Sequence, residues 1–173
     1  MSGKIISVIL LSCAILAGAG LYYLQVFHYY ERLPSEGAQV TAMARDGAPR
    51  PLPISGFEAI DADSSPIRYR ACFDTSLSLE VAAQTFEPYG GRTAPRRAPW
   101  WFGCFDADAL GAQITAGQAQ VFTSLRNLEF GIDRVVAITA DGRGYIWHEV
   151  NECGDKAYDG SPLGKDCPDR SAN

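Results

Sequence analysis

The sequence predicts an α+β protein: an N-terminal transmembrane helix plus a small antiparallel-sheet domain with about two helices, stapled by disulfides. Three observations carry this expectation. The run from Ile5 to Phe27 contains no charged residue. Beyond it, short stretches with alternating or β-rich apolar patterning are separated by Gly, Pro and Asp turn signals, as in strands joined by hairpins. Four of the five cysteines, Cys72, Cys104, Cys153 and Cys167, lie in this second part.

A helix over Ile5–Phe27 would be roughly 34 Å long, enough to cross a hydrocarbon core of about 30 Å. Lys4 precedes it, and Tyr22, Tyr23, Phe27, Tyr29 and Tyr30 crowd its far end, where aromatic rings settle at a membrane–water interface. The positive-inside bias places residues 1–4 in the cytoplasm and the remainder outside, although Arg32, Arg45 and Arg50 weaken it. Two other readings compete. Ala17-Gly18-Ala19 is an acceptable cleavage site for a signal peptide, and Leu10-Leu11-Ser12-Cys13 resembles a lipoprotein box. The apolar continuation from Leu21 to Phe27 favours the uncleaved anchor. All three readings export the domain.

The expected organisation is a cytoplasmic N-terminus at 1–4, a transmembrane helix at 5–27, a Pro- and Gly-containing stalk with one candidate strand at 28–53, and an α+β domain at 54–173. Strands are expected over Gln39–Met43, Phe57–Ala62, Ile67–Phe73, Ala119–Leu125, Asp133–Thr139 and Tyr145–Val150. The alternation of Ile67, Tyr69, Ala71 and Phe73 with Arg68, Arg70 and Cys72 reads as a half-buried strand. Ala140-Asp141-Gly142-Arg143-Gly144 reads as a hairpin turn. One helix is expected after the cap residue Ser78, running through Phe86, and a second from Asp106 or Asp108 to Gly117. Both are expected on one face of the sheet. Residues Arg170–Asn173 are expected to fray.

Lys and Arg total 15 and Asp and Glu total 20, a net charge of −5. An acidic chain with few basic clusters is a poor match for nucleic acid, which demands positive charge to displace counterions. In an exported domain four cysteines form two disulfides most simply, with three connectivities open. A Cys153–Cys167 bridge would close a loop with little apolar content, worth roughly 3 kcal/mol on the chain-entropy account, leaving Cys72 and Cys104 as the other pair. The cysteine spacing shows no C-x-x-C and the domain has few histidines, so neither a metal site nor a cofactor is expected.

Each chemically suggestive stretch has a plain structural reading. Asp61, Asp63, Ser64 and Ser65 could hold a hard cation, but lack the glycine and distal glutamate of a calcium loop and read better as turn chemistry. Asp106 and Asp108 read as helix-capping residues. In the strand Tyr145–Val150, alternation sets Ile146, His148 and Val150 against Tyr145, Trp147 and Glu149. His148 could be a general base, yet a hydrogen-bonded core histidine is favoured. Arg92, Arg96 and Arg97 ahead of Trp100, Trp101 and Phe102 suggest a membrane-facing loop or a protein-partner surface, against a loop entering the core. The candidate partner surface is Arg96, Arg97, Trp100, Trp101, Tyr145 and Trp147. On the helix, Ser7, Leu11, Ala14, Gly18, Tyr22 and Gln25 recur at three- and four-residue spacings and form a candidate helix-contact face. No nucleophile elbow, triad or phosphate-cradling loop is recognisable, so no catalytic residue is assigned.

Leu21-Tyr22-Tyr23-Leu24-Gln25-Val26, Ile60 to Phe73, Asp141-Gly142-Arg143-Gly144 with Trp147-His148, and Cys153 to Gly160 together resemble an uncharacterised family of alphaproteobacterial membrane-anchored proteins. The resemblance spans most of the chain to Cys167. It implies a bacterial inner membrane and a periplasmic domain, and supplies no catalytic residues. The expected function is a non-enzymatic accessory or assembly subunit of an inner-membrane complex, with a respiratory complex as one host and an integral membrane protein as partner. The alternatives are a periplasmic thiol-redox or copper-handling protein using Cys153, Cys167 and His148, and a small-molecule-binding or sensory domain with Tyr145 and Trp147 in its pocket.

Overall fold

A computed structural model describes residues 3–164 and 167–168. The expected fray at Arg170–Asn173 lies outside them. Helix α1 spans Gly3–Tyr23 and none of its residues is buried. It runs on into a π-helical turn, Leu24–His28, in which the Tyr29 N–H donates to the Leu24 carbonyl. The strands are β1 Glu31–Leu33, β2 Thr41–Met43, β3 Pro49–Pro51, β4 Ser55–Asp61, β5 Arg70–Asp74, β6 Ala119–Glu129, β7 Ile132–Thr139 and β8 Arg143–Val150. Helices α2, Leu79–Thr85, and α3, Ala107–Thr115, lie between β5 and β6.

Six strands make one antiparallel sheet in the order β1-β4-β5-β8-β7-β6, while β2 and β3 form a separate hairpin. Gly142, at φ +82°, turns the chain from β7 into β8, a left-handed conformation that glycine adopts without penalty. The outer edge of β6 is not bare. Tyr89 donates to the Val121 carbonyl and Thr123 to that of Glu87, while Glu87 in turn donates to Met43 on β2. This connection blunts an edge that would otherwise invite strand addition.

Both faces of the sheet are covered. The first carries Ala71, Phe73, Phe122, Val136, Ile138 and Ile146, packed under Ala82 of α2, Phe86 just beyond it, and Val40, Ala42 and Leu52 from the hairpin region. The second carries Ile60, Cys72, Val121, Val135, Ala137 and Trp147, packed under Leu110 of α3 and Tyr89, Phe102 and Phe105. The two helices therefore lie on opposite faces, not on one as expected. Each is capped as its sequence indicates. Ser78 Oγ accepts from the Val81 N–H, and Asp106 accepts from the N–H groups of Asp108 and Ala109.

Coverage of both faces also corrects the reading of β5. Arg70, Ala71, Cys72 and Phe73 are all buried, so the strand is not half-exposed. It is shorter at its start as well, because Pro66–Arg68 forms a 3-10 turn where the fixed φ of proline suits the first helical position. The expected stalk at 28–53 is likewise part of the folded unit. Glu31–Leu33 pairs with Ala59–Asp61 on β4, and Val40, Ala42, Ala44 and Leu52 are core residues.

Cys72 is bonded to Cys104, tying β5 to the loop before α3, and Cys153 is bonded to Cys167. The chain around Cys153 sits directly on the β6–β7 turn. A Cβ on Gly131 would collide with the Gly154 backbone, and Gly131 also holds φ +80°. Backbone meets backbone here, which only glycine permits.

Candidate functional site

Between α2 and α3 runs an irregular segment, residues 90–103, that crosses the second face of the sheet as a strap. Its arginines explain how a stretch with little secondary structure is held in place. Arg70, 4 % exposed on β5, donates to the carbonyls of Arg96 at 2.8 Å and Arg97 at 3.1 Å, and also to those of Ile67 and Tyr69. Burial pulls its guanidinium down to about 10, with the nearby Arg96 charge acting in the same sense. The planar fork of donors lets one side chain satisfy carbonyls from two segments, which an ammonium could not reproduce.

The strap returns the contact through its own arginines. Arg96 reaches the fully buried Glu149 carboxylate with two nitrogens, at 3.1 Å and 2.5 Å, and Arg92 reaches the same group at 3.4 Å. The Val150 N–H also donates to Glu149 at 3.1 Å. Directly across the ladder, Asp133 pairs in register with Glu149 and is equally buried. Asp133 accepts from the Asn127 N–H at 2.8 Å, Asn151 Nδ2 at 2.7 Å and the Tyr89 hydroxyl at 3.2 Å. Burial, then the Asp133 charge, pushes the Tyr89 hydroxyl well above the ordinary phenol range, so Tyr89 stays a proton donor at neutral pH.

A cleft of about 360 Å³ opens beside these groups, lined by Tyr89, Arg92, Arg126, Asp133, Asn151 and Asp155 among others. Both arginines in it are spoken for. Arg92 lies near Glu149 and Asp155, and Arg126 near Glu87 and Asp133. Among the described residues, the cleft therefore presents no uncompensated cation to an anionic ligand.

At its other end the strap meets the N-terminal helix. Trp101 Nε1 donates to the Val26 carbonyl at 2.7 Å, and its ring stacks on Phe27 with centroids 6.4 Å apart and planes 18° apart. Tyr30 meets Trp101 edge-on, and the Arg32 guanidinium lies over the same ring at 5.6 Å. Arg68 lies over Tyr30 and reaches toward the Gln25 carbonyl at 3.4 Å. Trp100 touches Phe27 edge-on at 6.0 Å yet remains 74 % exposed. The helix end is thus joined to the domain by an aromatic collar.

The candidate partner surface is redistributed by this arrangement. Trp147 is fully buried and cannot face a partner or line an open pocket, Tyr145 is half-buried against Phe105, and Arg96 is committed to Glu149. Trp100 and Arg97 stay open, Arg97 in a surface pair with Asp108 at 3.2 Å, and Trp101 belongs to the collar. On the helix, Ser7, Leu11, Ala14, Gly18, Tyr22 and Gln25 are all exposed, so the domain leaves that face uncovered. The Ser7 hydroxyl donates to the Gly3 carbonyl within the helix.

His148 lies on the first face, 4 % exposed and stacked on Tyr69 at 4.8 Å. Its Nδ1 meets the Pro66 carbonyl at 2.6 Å and its Nε2 faces Arg134 Nε at 3.0 Å. A neutral ring, with the proton on Nδ1, satisfies both contacts. Burial first, then the charges of Arg134 and Arg70, bring its pKa down to about 4. With both nitrogens occupied, His148 offers no free lone pair to copper, and Cys153 and Cys167 are bonded to each other.

Sequence reasoning missed Arg70, Asp133 and Glu149 as a linked set. The available signal was small: a glutamate sharing strand parity with Trp147 and an arginine within a strand.

These features define a disulfide-bearing α+β domain led by one N-terminal helix, Gly3–His28, long and apolar enough to cross a membrane. Such a helix serves as a membrane anchor or as a signal sequence, and disulfides accord with an oxidising compartment. Residues 39–168 match the Family of unknown function (DUF6446), and the chain belongs to that family. No curated protein and no solved structure matches it. The matched region starts one residue before the first buried domain position, Val40, and includes both disulfides but not the helix.

Proposed function

We propose that this protein is a single-pass, non-enzymatic accessory or assembly subunit of a bacterial inner-membrane complex, with its N-terminus cytoplasmic and its domain periplasmic. The observation that carries this reading is the joint between helix and domain. A tether needs only length and a flexible stalk. Here the Trp101 indole is hydrogen-bonded to the helix backbone and stacked on Phe27, so one orientation links the intramembrane surface to the extramembrane one. A subunit that contacts a partner at both levels requires that relation.

The uncovered helix face supports the same reading. Ala14 and Gly18 allow close approach of another helix, and Gln25 can hydrogen-bond across such an interface. The exported orientation rests on Lys4 before the helix, the aromatic residues after it and the two disulfides.

The test is purification of the tagged full-length chain from native membranes in mild detergent, with and without prior crosslinking. A stoichiometric integral membrane protein is expected to accompany it, and Gly18→Leu is expected to deplete that partner. Migration solely as a free monomer from crosslinked membranes would sink the proposal.

A further inference from the structure

We infer that the Trp100–Trp101 end of the strap is a membrane foot, with Trp100 seated in the lipid headgroup layer around the chain's own helix. This deepens the anchor reading and rests on it. The occupant follows from register. Twenty apolar residues span a hydrocarbon core of about 30 Å, so a core entered at Ile5 is left near Leu24. Phe27 then lies roughly 5 Å further along the axis, within the headgroup layer, which adds about 5–7 Å on each side of the core. Trp100 is in edge contact with that same ring at 6.0 Å. Its height is fixed too, because its neighbour Trp101 is hydrogen-bonded to Val26 at 2.7 Å.

The exposure pattern agrees. Trp100 is 74 % exposed while Phe102, two residues on, is buried in the core. An indole left outside a core against Phe27, a ring that Tyr22 and Tyr23 also contact, suits a layer that accepts an apolar ring with a polar edge. The domain has no room to stand away from the bilayer, because Glu31–Leu33 is already a strand of its sheet. Charge contributes little, since Arg97 is paired with Asp108 and Arg32 lies near Glu58. The partner is therefore the headgroup layer as an amphipathic medium and not an anionic lipid in particular.

The test uses the full-length chain reconstituted into vesicles of phosphatidylcholine and phosphatidylglycerol. Emission of the parent protein minus that of Trp100→Phe isolates the Trp100 share, with near-UV circular dichroism confirming that the variant keeps the parent packing. A nitroxide on the lipid headgroup is expected to quench most of this share, and aqueous iodide little of it. Iodide quenching without nitroxide quenching would overturn the foot, and shielding from both would overturn it in favour of a protein contact. An alkaline carbonate wash separates the two layers of inference. A chain that washes off defeats the anchor reading, whereas one that stays while Trp100 remains open to iodide defeats the foot alone.

Discussion

The two faces of the sheet bury polar groups in opposite ways. On the first, His148 is neutral, stacked on Tyr69 and served by one carbonyl and one guanidinium. On the second, Arg70, Asp133 and Glu149 are buried beside Trp147 and Val135, and the carboxylates meet partners from distant segments. A neutral buried group requires only hydrogen bonds, whereas a buried carboxylate requires charged or strongly polar partners as well. The first face is closed by apolar side chains from α2, the β2–β3 hairpin and the chain beside them. The second is closed by α3 together with the irregular strap, and the charged contacts fix where that strap runs. The contrast assigns two tasks to one sheet: one face stabilises the domain, and the other positions the segment that reaches the N-terminal helix.

Four expectations would break or sharpen that division. Phe122→Ala on the first face should cost the most, about 4 kcal/mol by thermal or urea unfolding, as a large buried ring leaves a cavity. It should leave the helix joint unchanged. Arg96→Ala should cost about 3 kcal/mol by leaving Glu149 with weaker compensation, and replacing both residues with apolar ones should recover most of the loss. If the single change were as mild as the double, the ion pair would not be what holds the strap.

The pH dependence of the first face follows from His148. Its folded pKa of about 4 lies below the unfolded value of about 6.5. Within that window the unfolded chain binds the extra proton, so stability is full above pH 6.5 and falls as pH drops toward 4. The loss should approach about 3 kcal/mol, and His148→Gln should flatten it in melting curves recorded across the window. The smallest change is Trp101→Phe. It removes the bond to Val26, worth about 1 kcal/mol. Fold stability should barely move, while the distance distribution between spin labels on the helix and the domain should broaden.

Much of the architecture could be read from local patterns. Ser78 and Asp106 mark their helices by residue type alone, and Asp141-Gly142 marks the hairpin between β7 and β8. What local patterns lack is information on which side of the sheet a helix crosses, so α2 and α3 were expected together and lie apart. Glu31–Leu33 is a three-residue exposed edge strand with no alternation to detect. The segment Phe86–Tyr89 pairs with β2 and β6 although Pro88 and Gly90 give it the look of a loop. The strap's partners were hidden for the same reason. Arg96 and Glu149 are 53 positions apart, and no periodicity links them until the sheet forms. The collar was half legible, since the aromatics after the helix and the Trp100-Trp101 pair each suggested an interface but not each other.

The π-helical turn at Leu24–His28 bears on all of this through angular phase. An α-helix advances about 100° and 1.5 Å per residue, so the extra residue of a π turn rotates everything before it relative to everything after. The azimuth of the Ser7–Gly18 stripe relative to the domain is consequently set in part by this turn, independently of the composition of either region. One alanine inserted between Gly20 and Leu21, and carried as α-helix, would turn that stripe by about 100° against the domain. Both surfaces would survive with their chemistry intact, and a partner that reads them together would meet only one at a time.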